Sequence, residues 1–126
     1  MMHLISIAAG GALGALLRYG FSTSTHYFLG KGFPYGTLLV NVLGSFILGI
    51  VFVFMVERGE LSEEWRAFLV IGLLGAFTTF STFSFETISL VETGETLKAG
   101  LNIIVSVVLC LCVCWLGILL ARQTSL

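Results

Sequence analysis

Charged residues are scarce in this sequence, and their scarcity argues against a soluble protein. Only 10% of the 126 residues are Asp, Glu, Lys or Arg, whereas a typical soluble domain carries about 25%. Hydrophobic residues make up 57% of the chain. So little charge cannot cover a surface that faces water, and we therefore expect a membrane protein.

Net charge, cysteine and proline are limited as well. The net charge of −1 provides no basic surface, so nucleic acid is not an expected partner. The cysteines Cys110, Cys112 and Cys114 alternate along one apolar run. On a helix that spacing points neighbours in different directions, which favours packing over a metal site. The single proline, Pro34, marks a turn-like break between two apolar runs.

Four long apolar runs fill most of the chain, at residues 4–29, 36–57, 66–90 and 97–121. Each is near or above the ~20 residues that cross a bilayer as a helix, and none shows the sustained alternation of a membrane strand. We predict an all-α integral membrane protein with a single four-helix domain over residues 1–126. The first run lacks a preceding Lys or Arg and a convincing cleavage site, so we expect a retained helix rather than a signal peptide.

The charges at the ends of the runs give almost no preferred orientation. Arg58, Arg66 and Arg122 fall on one side of the predicted membrane, while Lys31 and Lys98 fall on the other. Such a small positive-inside bias allows insertion in both orientations. We therefore expect either an antiparallel oligomer or a topology fixed by some other feature.

Polar residues inside the first two runs need partners in lipid. Arg18 lies within the first run, where an ionised side chain usually faces protein or water; either snorkelling or a structural or functional ion contact accounts for it. Asn41 shares a helical face with Gly44 and Ser45 in the second run. Its amide predicts either an interhelical hydrogen bond or a polar path.

The third run changes character halfway along. Its first half, AFLVIGLLGAF, reads as plain membrane helix, but residues 75–86, GAFTTFSTFSFE, mix phenylalanines with hydroxyls. Gly72, Gly75 and the adjacent Thr78 and Thr79 weaken helix propensity, which predicts a break near residues 75–79. At bilayer depth a break survives only inside protein or beside a cavity. Carbonyls freed there, such as those of Gly75 and Thr78, could coordinate a cation.

Helical spacing sorts the residues beyond the break into two faces. Phe80 and Phe83 are three apart and share one face, while Thr79 and Thr82 form a neighbouring stripe toward Glu86. Ring edges carry the positive end of the quadrupole and attract a small anion, and hydroxyls can replace part of its hydration shell. A packed aromatic stripe, with hydroxyls bonded back to i−4 carbonyls, is the alternative.

The stretches GTLLVNVLGSFILG and GLLGAFTTFSTFSFE, together with the opening GGALGALLRY, resemble the Fluc (CrcB) family of small bacterial fluoride channels. The similarity covers essentially the whole chain. It implies a passive channel, not an enzyme, that exports fluoride from the cytoplasm and relieves its toxicity. It further implies an antiparallel, dual-topology homodimer in the bacterial inner membrane, with two pores and a structural sodium ion on the dimer axis.

The resemblance also implies roles for individual residues. The fluoride pathway would comprise an amide, two rings and four hydroxyls: Asn41, Phe80, Phe83, Thr79, Ser81, Thr82 and Ser84. The backbone carbonyls of Gly75 and Thr78 would hold the sodium, and Arg18 and Glu86 would serve structure or the pore end. Cys110 stands, on a loose alignment, where the family often has a pore-facing serine, and a thiol is the weaker donor.

Two other functions remain possible on chemistry alone. A small proton-coupled multidrug exporter also has four short helices, but it needs a membrane-embedded carboxylate, for which Glu86 is the only deep candidate. An accessory subunit of a larger transporter would need no pathway of its own.

Overall fold

The chain consists of helices joined by short connections. The computed structural model describes residues 1–124, which contain no strand. We number the helices α1 (Met2–Leu29), α2 (Tyr35–Glu57), α3 (residues 63–77), α4 (Phe80–Glu92) and α5 (Thr96–Gln123). Helices α3 and α4 together form one span, so four spans are long and apolar enough to cross a membrane. Their limits lie within three residues of the predicted runs and confirm an all-α, multi-pass membrane protein.

Two stretches wind more widely than an α-helix. The end of α2, Val53–Glu57, and the middle of α3, Ala67–Leu74, are π-helical. At the end of α2, the Arg58 N–H donates to the Val53 carbonyl at 3.0 Å, a step of five residues instead of four. The expected membrane helix over AFLVIGLLGAF is present, but residues Ala67–Leu74 of it are π-helical. The apolar pattern cannot reveal a π-helix, because the choice between i−4 and i−5 partners depends on packing.

Glycines let α1 and α3 pack backbone against backbone. A Cβ atom on Gly10 would lie 2.2 Å from the Phe68 carbonyl oxygen, and one on Gly14 would lie 2.2 Å from that of Leu73. On the facing helix, a Cβ on Gly72 would lie 2.6 Å from the Ile7 carbonyl oxygen of α1. Apolar burial does not drive association in lipid, so contact at this range is what holds the two helices together.

A second glycine contact joins α2 to α5. A Cβ on Gly49 would come within 2.2 Å of the Cys114 carbonyl oxygen, and one on Gly117 within 2.4 Å of that of Phe46. Where both helices end, the Nε of Arg122 on α5 donates to both carboxylate oxygens of Glu57 on α2, at 2.7 and 3.0 Å. These contacts set α2 between α1 and α5 and hold it behind the third span.

Substituting alanine for Gly14 and, separately, for Gly20 distinguishes the effect of steric crowding on stability from the effect of helix propensity. We expect Gly14→Ala to lower the free energy of unfolding by about 1–3 kcal/mol, because a methyl group must displace a backbone carbonyl. Gly20 lies in the same helix, and a Cβ on it would have no neighbouring atom within 4 Å, so Gly20→Ala should be neutral or slightly stabilising. Thermal unfolding in detergent measures both, and equal midpoints would contradict the close packing.

Candidate functional site: a helix break between two cavities

The third span is interrupted at two residues. Helix α3 ends at Phe77, and Thr78 (φ −89°, ψ 160°) and Thr79 (φ −153°, ψ 121°) are extended before α4 begins. Thr79 is the N-cap of α4, because its Oγ1 accepts the Thr82 N–H at 3.1 Å. The break therefore lies within the predicted range 75–79, and the prediction that the span is broken there is confirmed.

Asn41 of α2 holds the broken backbone. Its Nδ2 donates to the Thr79 carbonyl at 3.0 Å, and its Oδ1 accepts the Thr79 N–H at 2.8 Å. The side-chain amide thus satisfies both polar groups of one residue, as a neighbouring strand would. We call this pair of bonds the Asn41 clasp. Interhelical hydrogen bonding, one of the two expectations for Asn41, is what the structure shows, and one N–H of the amide is left over.

The break also changes the surroundings of two carbonyls. In a continuous helix the Thr79 N–H would donate to Gly75 and the Thr82 N–H to Thr78. Here those donors bind Asn41 Oδ1 and Thr79 Oγ1 instead. The Gly75 and Thr78 carbonyls thereby lose their helical donors, and Gly75 is exposed on the surface of the chain. Oxygen atoms of this kind fit the requirements of a sodium ion.

Side-chain metal ligands are not gathered elsewhere. Within residues 1–124 no group of three or more His, Cys, Asp or Glu side chains could hold a metal ion. A cation at this site would therefore be held by backbone carbonyls.

The larger polar opening, which we call the aromatic cavity, lies on one side of the break and measures about 440 Å³. The predicted ring pair, Phe80 and Phe83, stands in its wall with centroids 5.5 Å apart and planes at 47°. The shared face predicted from their spacing is confirmed. Phe80 is 78% exposed, so the cavity is open on that side of the chain. Asn41 and Cys110 also line it, so the amide and the thiol share this cavity with the rings.

A second opening, the arginine cavity, lies on the other side of the break. It measures about 370 Å³, and its polar lining includes Arg18, Ser22, Thr37 and Thr82. Among the described residues Arg18 makes no ion pair or hydrogen bond. Thr79 is the one residue that lines both cavities. The predicted pathway residues are thus divided between two faces.

Glu86 extends the polar surface of the arginine cavity by one helical turn. The hydroxyl of Thr37, which is 4% exposed, donates to Glu86 Oε1. Sequence reasoning missed Thr37, because a lone threonine in the apolar stretch GTLLV carries no signal.

Two of the predicted hydroxyls line neither cavity. Ser84 donates to the Phe80 carbonyl at 2.9 Å, which matches the expected alternative of bonding back to the helix. Ser81 lies on the outside of α4, with its Oγ 3.3 Å from Thr79 Oγ1. Neither side chain is brought to the rings within a single chain.

A buried network behind Phe83 joins α4 to α5. Asn102 donates to the Thr87 hydroxyl at 2.9 Å, Thr87 donates to the Phe83 carbonyl at 2.7 Å, and Ser106 donates to Asn102 Oδ1 at 3.3 Å. All three side chains are buried. The Asn102 and Ser106 pair is visible in the sequence as an i, i+4 repeat, whereas Thr87 was missed. The network holds α4 in the rotation that turns Phe83 toward the aromatic cavity.

Comparison with known proteins adds to this geometry. The profile of the family described as "CrcB-like protein, Camphor Resistance (CrcB)" matches residues 5–118. The chain is 51% identical over 124 residues to the fluoride-specific ion channel FluC of Methylococcus capsulatus, a match that covers 98% of this chain and 54% of that protein. The chain thus spans about half the length of that relative.

Other relatives match along nearly their whole length. The fluoride-specific ion channel FluC of Shewanella amazonensis is 50% identical over 117 residues, covering 93% of this chain and 94% of that protein. The one from Hydrogenovibrio crunogenus is 50% identical over 123 residues, covering 98% and 93%. With the broken third span and the aromatic cavity in place, these matches show that the chain belongs to the CrcB family.

Proposed function

We propose that this chain forms a passive, fluoride-selective channel that lets fluoride leave the bacterial cytoplasm across the inner membrane. One observation carries the proposal: a membrane span breaks at Thr78 and Thr79 and presents Phe80 and Phe83 together in a cavity. Relatives that are about half identical to this chain are named fluoride-specific ion channels. No enzymatic step and no energy source is needed.

The residues that line the aromatic cavity suit an anion that must be dehydrated as it enters. Ring edges offer weak positive potential without a full cation that would trap the ion. Asn41 lines the same cavity as the rings, and its remaining N–H can donate a hydrogen bond. Donors that replace hydration, combined with weak binding, are what conduction requires. Thr82, whose hydroxyl accepts a hydrogen bond from Thr79, would provide such a donor on the other side of the break.

Two copies of the chain complete the pores in this proposal, as an antiparallel homodimer with one pore on each side of its axis. The open side of the aromatic cavity, at Phe80, supports a wall supplied by a second copy. The near balance of positive charge at the two ends of the spans supports insertion in both orientations. A two-fold axis would also bring two sets of equivalent carbonyls together.

Sodium is proposed to lie where those carbonyls meet. Gly75 and Thr78 of each copy would direct oxygens at the ion, since their usual helical donors bind elsewhere. A cation there would offset the negative ends of four carbonyl dipoles. Its role in this proposal is to hold the helix breaks of the two copies together.

The multidrug exporter is less well supported by the site. Its carboxylate would have to exchange a proton for a drug, but Glu86 accepts a hydrogen bond from the buried Thr37 hydroxyl. The arginine cavity beside it contains Arg18, which would repel a cationic drug. Uptake of a lipophilic cation driven by a pH gradient would favour the exporter instead.

Efflux from liposomes tests the channel and the rings together. We expect purified chain to release fluoride but not chloride, and Phe80→Ile or Phe83→Ile to slow fluoride release, because each substitution removes a ring edge from the cavity wall. Phe85→Ile is the matched control, since Phe85 is 73% exposed and lines neither cavity. Absent fluoride release, or equal chloride release, would refute the channel.

Removal of the Asn41 clasp tests its part in shaping the site. Asn41→Leu keeps the side-chain size but leaves the Thr79 N–H and carbonyl without partners, so we expect the free energy of unfolding to fall by about 2–4 kcal/mol. Thr25→Val removes a hydroxyl that bonds only within its own helix and should cost much less. Unfolding in micelles measures both, and similar losses would argue against the clasp.

Sodium replacement tests the proposed cation. Protein extracted and purified with N-methylglucamine in place of sodium should lose most of its fluoride efflux and part of its dimer, because the facing carbonyls would repel one another. Returning millimolar sodium should restore both, as measured by electrode recordings and size-exclusion chromatography. Full activity throughout the sodium-free preparation would contradict the proposal.

A further inference from the structure

The hydroxyls in the wall of the aromatic cavity differ in whether they can still donate. Four residues supply them: Ser45 on α2, Thr78 and Thr79 at the break, and Ser106 on α5. A hydroxyl has a single proton, so one that already donates to a protein acceptor has none for an ion. The number of free protons therefore decides which of these groups can bind an anion.

Three of the four protons are already used. Thr78 donates to the Leu74 carbonyl at 3.0 Å, and Thr79 donates to the Thr82 hydroxyl at 3.1 Å. Ser106 donates into the buried network behind Phe83. Each would have to give up a hydrogen bond before it could bind an anion, and in a membrane interior a lost hydrogen bond is costly.

Ser45 is different. Across residues 1–124 its hydroxyl donates to no oxygen atom, although helical hydroxyls such as those of Thr25, Ser84 and Thr87 bond back to the carbonyl four residues earlier. Its polar neighbour is the Cys110 thiol, which lines the same cavity. Sulfur is a weak acceptor, so this contact leaves the Ser45 proton available to a stronger one.

We propose that Ser45 is an anion-binding residue whose hydroxyl donates a hydrogen bond to the anion in the aromatic cavity. The inference rests on the proposed fluoride conduction. Fluoride is a strong hydrogen-bond acceptor with a firmly held hydration shell, so a free O–H beside the rings favours it over chloride. The Cys110 thiol in the same wall is a weak acceptor and does not compete with the anion for this proton.

Fluoride efflux from liposomes tests this with four proteins: the unaltered chain, Ser45→Ala, Cys110→Ser and the double variant. We expect Ser45→Ala to slow the initial rate about tenfold, the effect of one lost hydrogen bond to a charged group. In the double variant, serine at position 110 returns a hydroxyl to the same wall and should restore at least half of the original rate. Ser24→Ala is the control, because Ser24 lines a separate apolar cavity.

The outcomes separate this inference from the proposed function. If the unaltered chain releases no fluoride, the channel itself is refuted. If it conducts and Ser45→Ala conducts equally well, only the role of Ser45 is overturned. If Ser45→Ala conducts slowly and the double variant with Cys110→Ser is equally slow, the role of Ser45 is also overturned, because the lower rate would then come from altered packing. Elution of every variant as the same oligomer verifies that the rates compare intact protein.

Discussion

The whole site depends on the need to satisfy the backbone where a membrane span stops being a helix. An extended residue at bilayer depth exposes an N–H and a carbonyl that water cannot reach, and each costs several kcal/mol if left alone. The Asn41 clasp meets that cost with one side chain. Because the amide takes the Thr79 N–H, the Gly75 carbonyl is released, so the bond that stabilises the break also creates the proposed cation ligand.

Close packing of backbones makes the clasp possible in so short a chain. Glycines bring α1 against α3 and α2 against α5 with carbonyl oxygens almost in contact. Helix α2 is thereby held near enough to the break for a short amide to reach it. Larger residues at Gly14 or Gly49 would push the helices apart. The axis of α2 would then move relative to the break, and the hydrogen bonds of the Asn41 clasp would be weakened.

The helix break separates the polar residues of the site into two cavities that differ in their chemistry. The rings and Cys110 face the aromatic cavity, whereas Arg18 and Thr82 face the arginine cavity, and Thr79 alone touches both. One face offers ring edges with few free protons, and the other offers a cation with several hydroxyls.

Local chemistry in the sequence determined the four apolar spans, the weak helix propensity before Thr78 and the shared face of Phe80 and Phe83, since each depends on length, composition or spacing. Tertiary structure decided the rest. Thr37 donates to Glu86, and the Ser45 hydroxyl donates to no oxygen atom among the described residues, although nothing in their neighbouring residues distinguishes these hydroxyls. A hydroxyl's partner is set by which helix packs beside it, and the approach of α2 and α5 to the third span is a property of the folded chain.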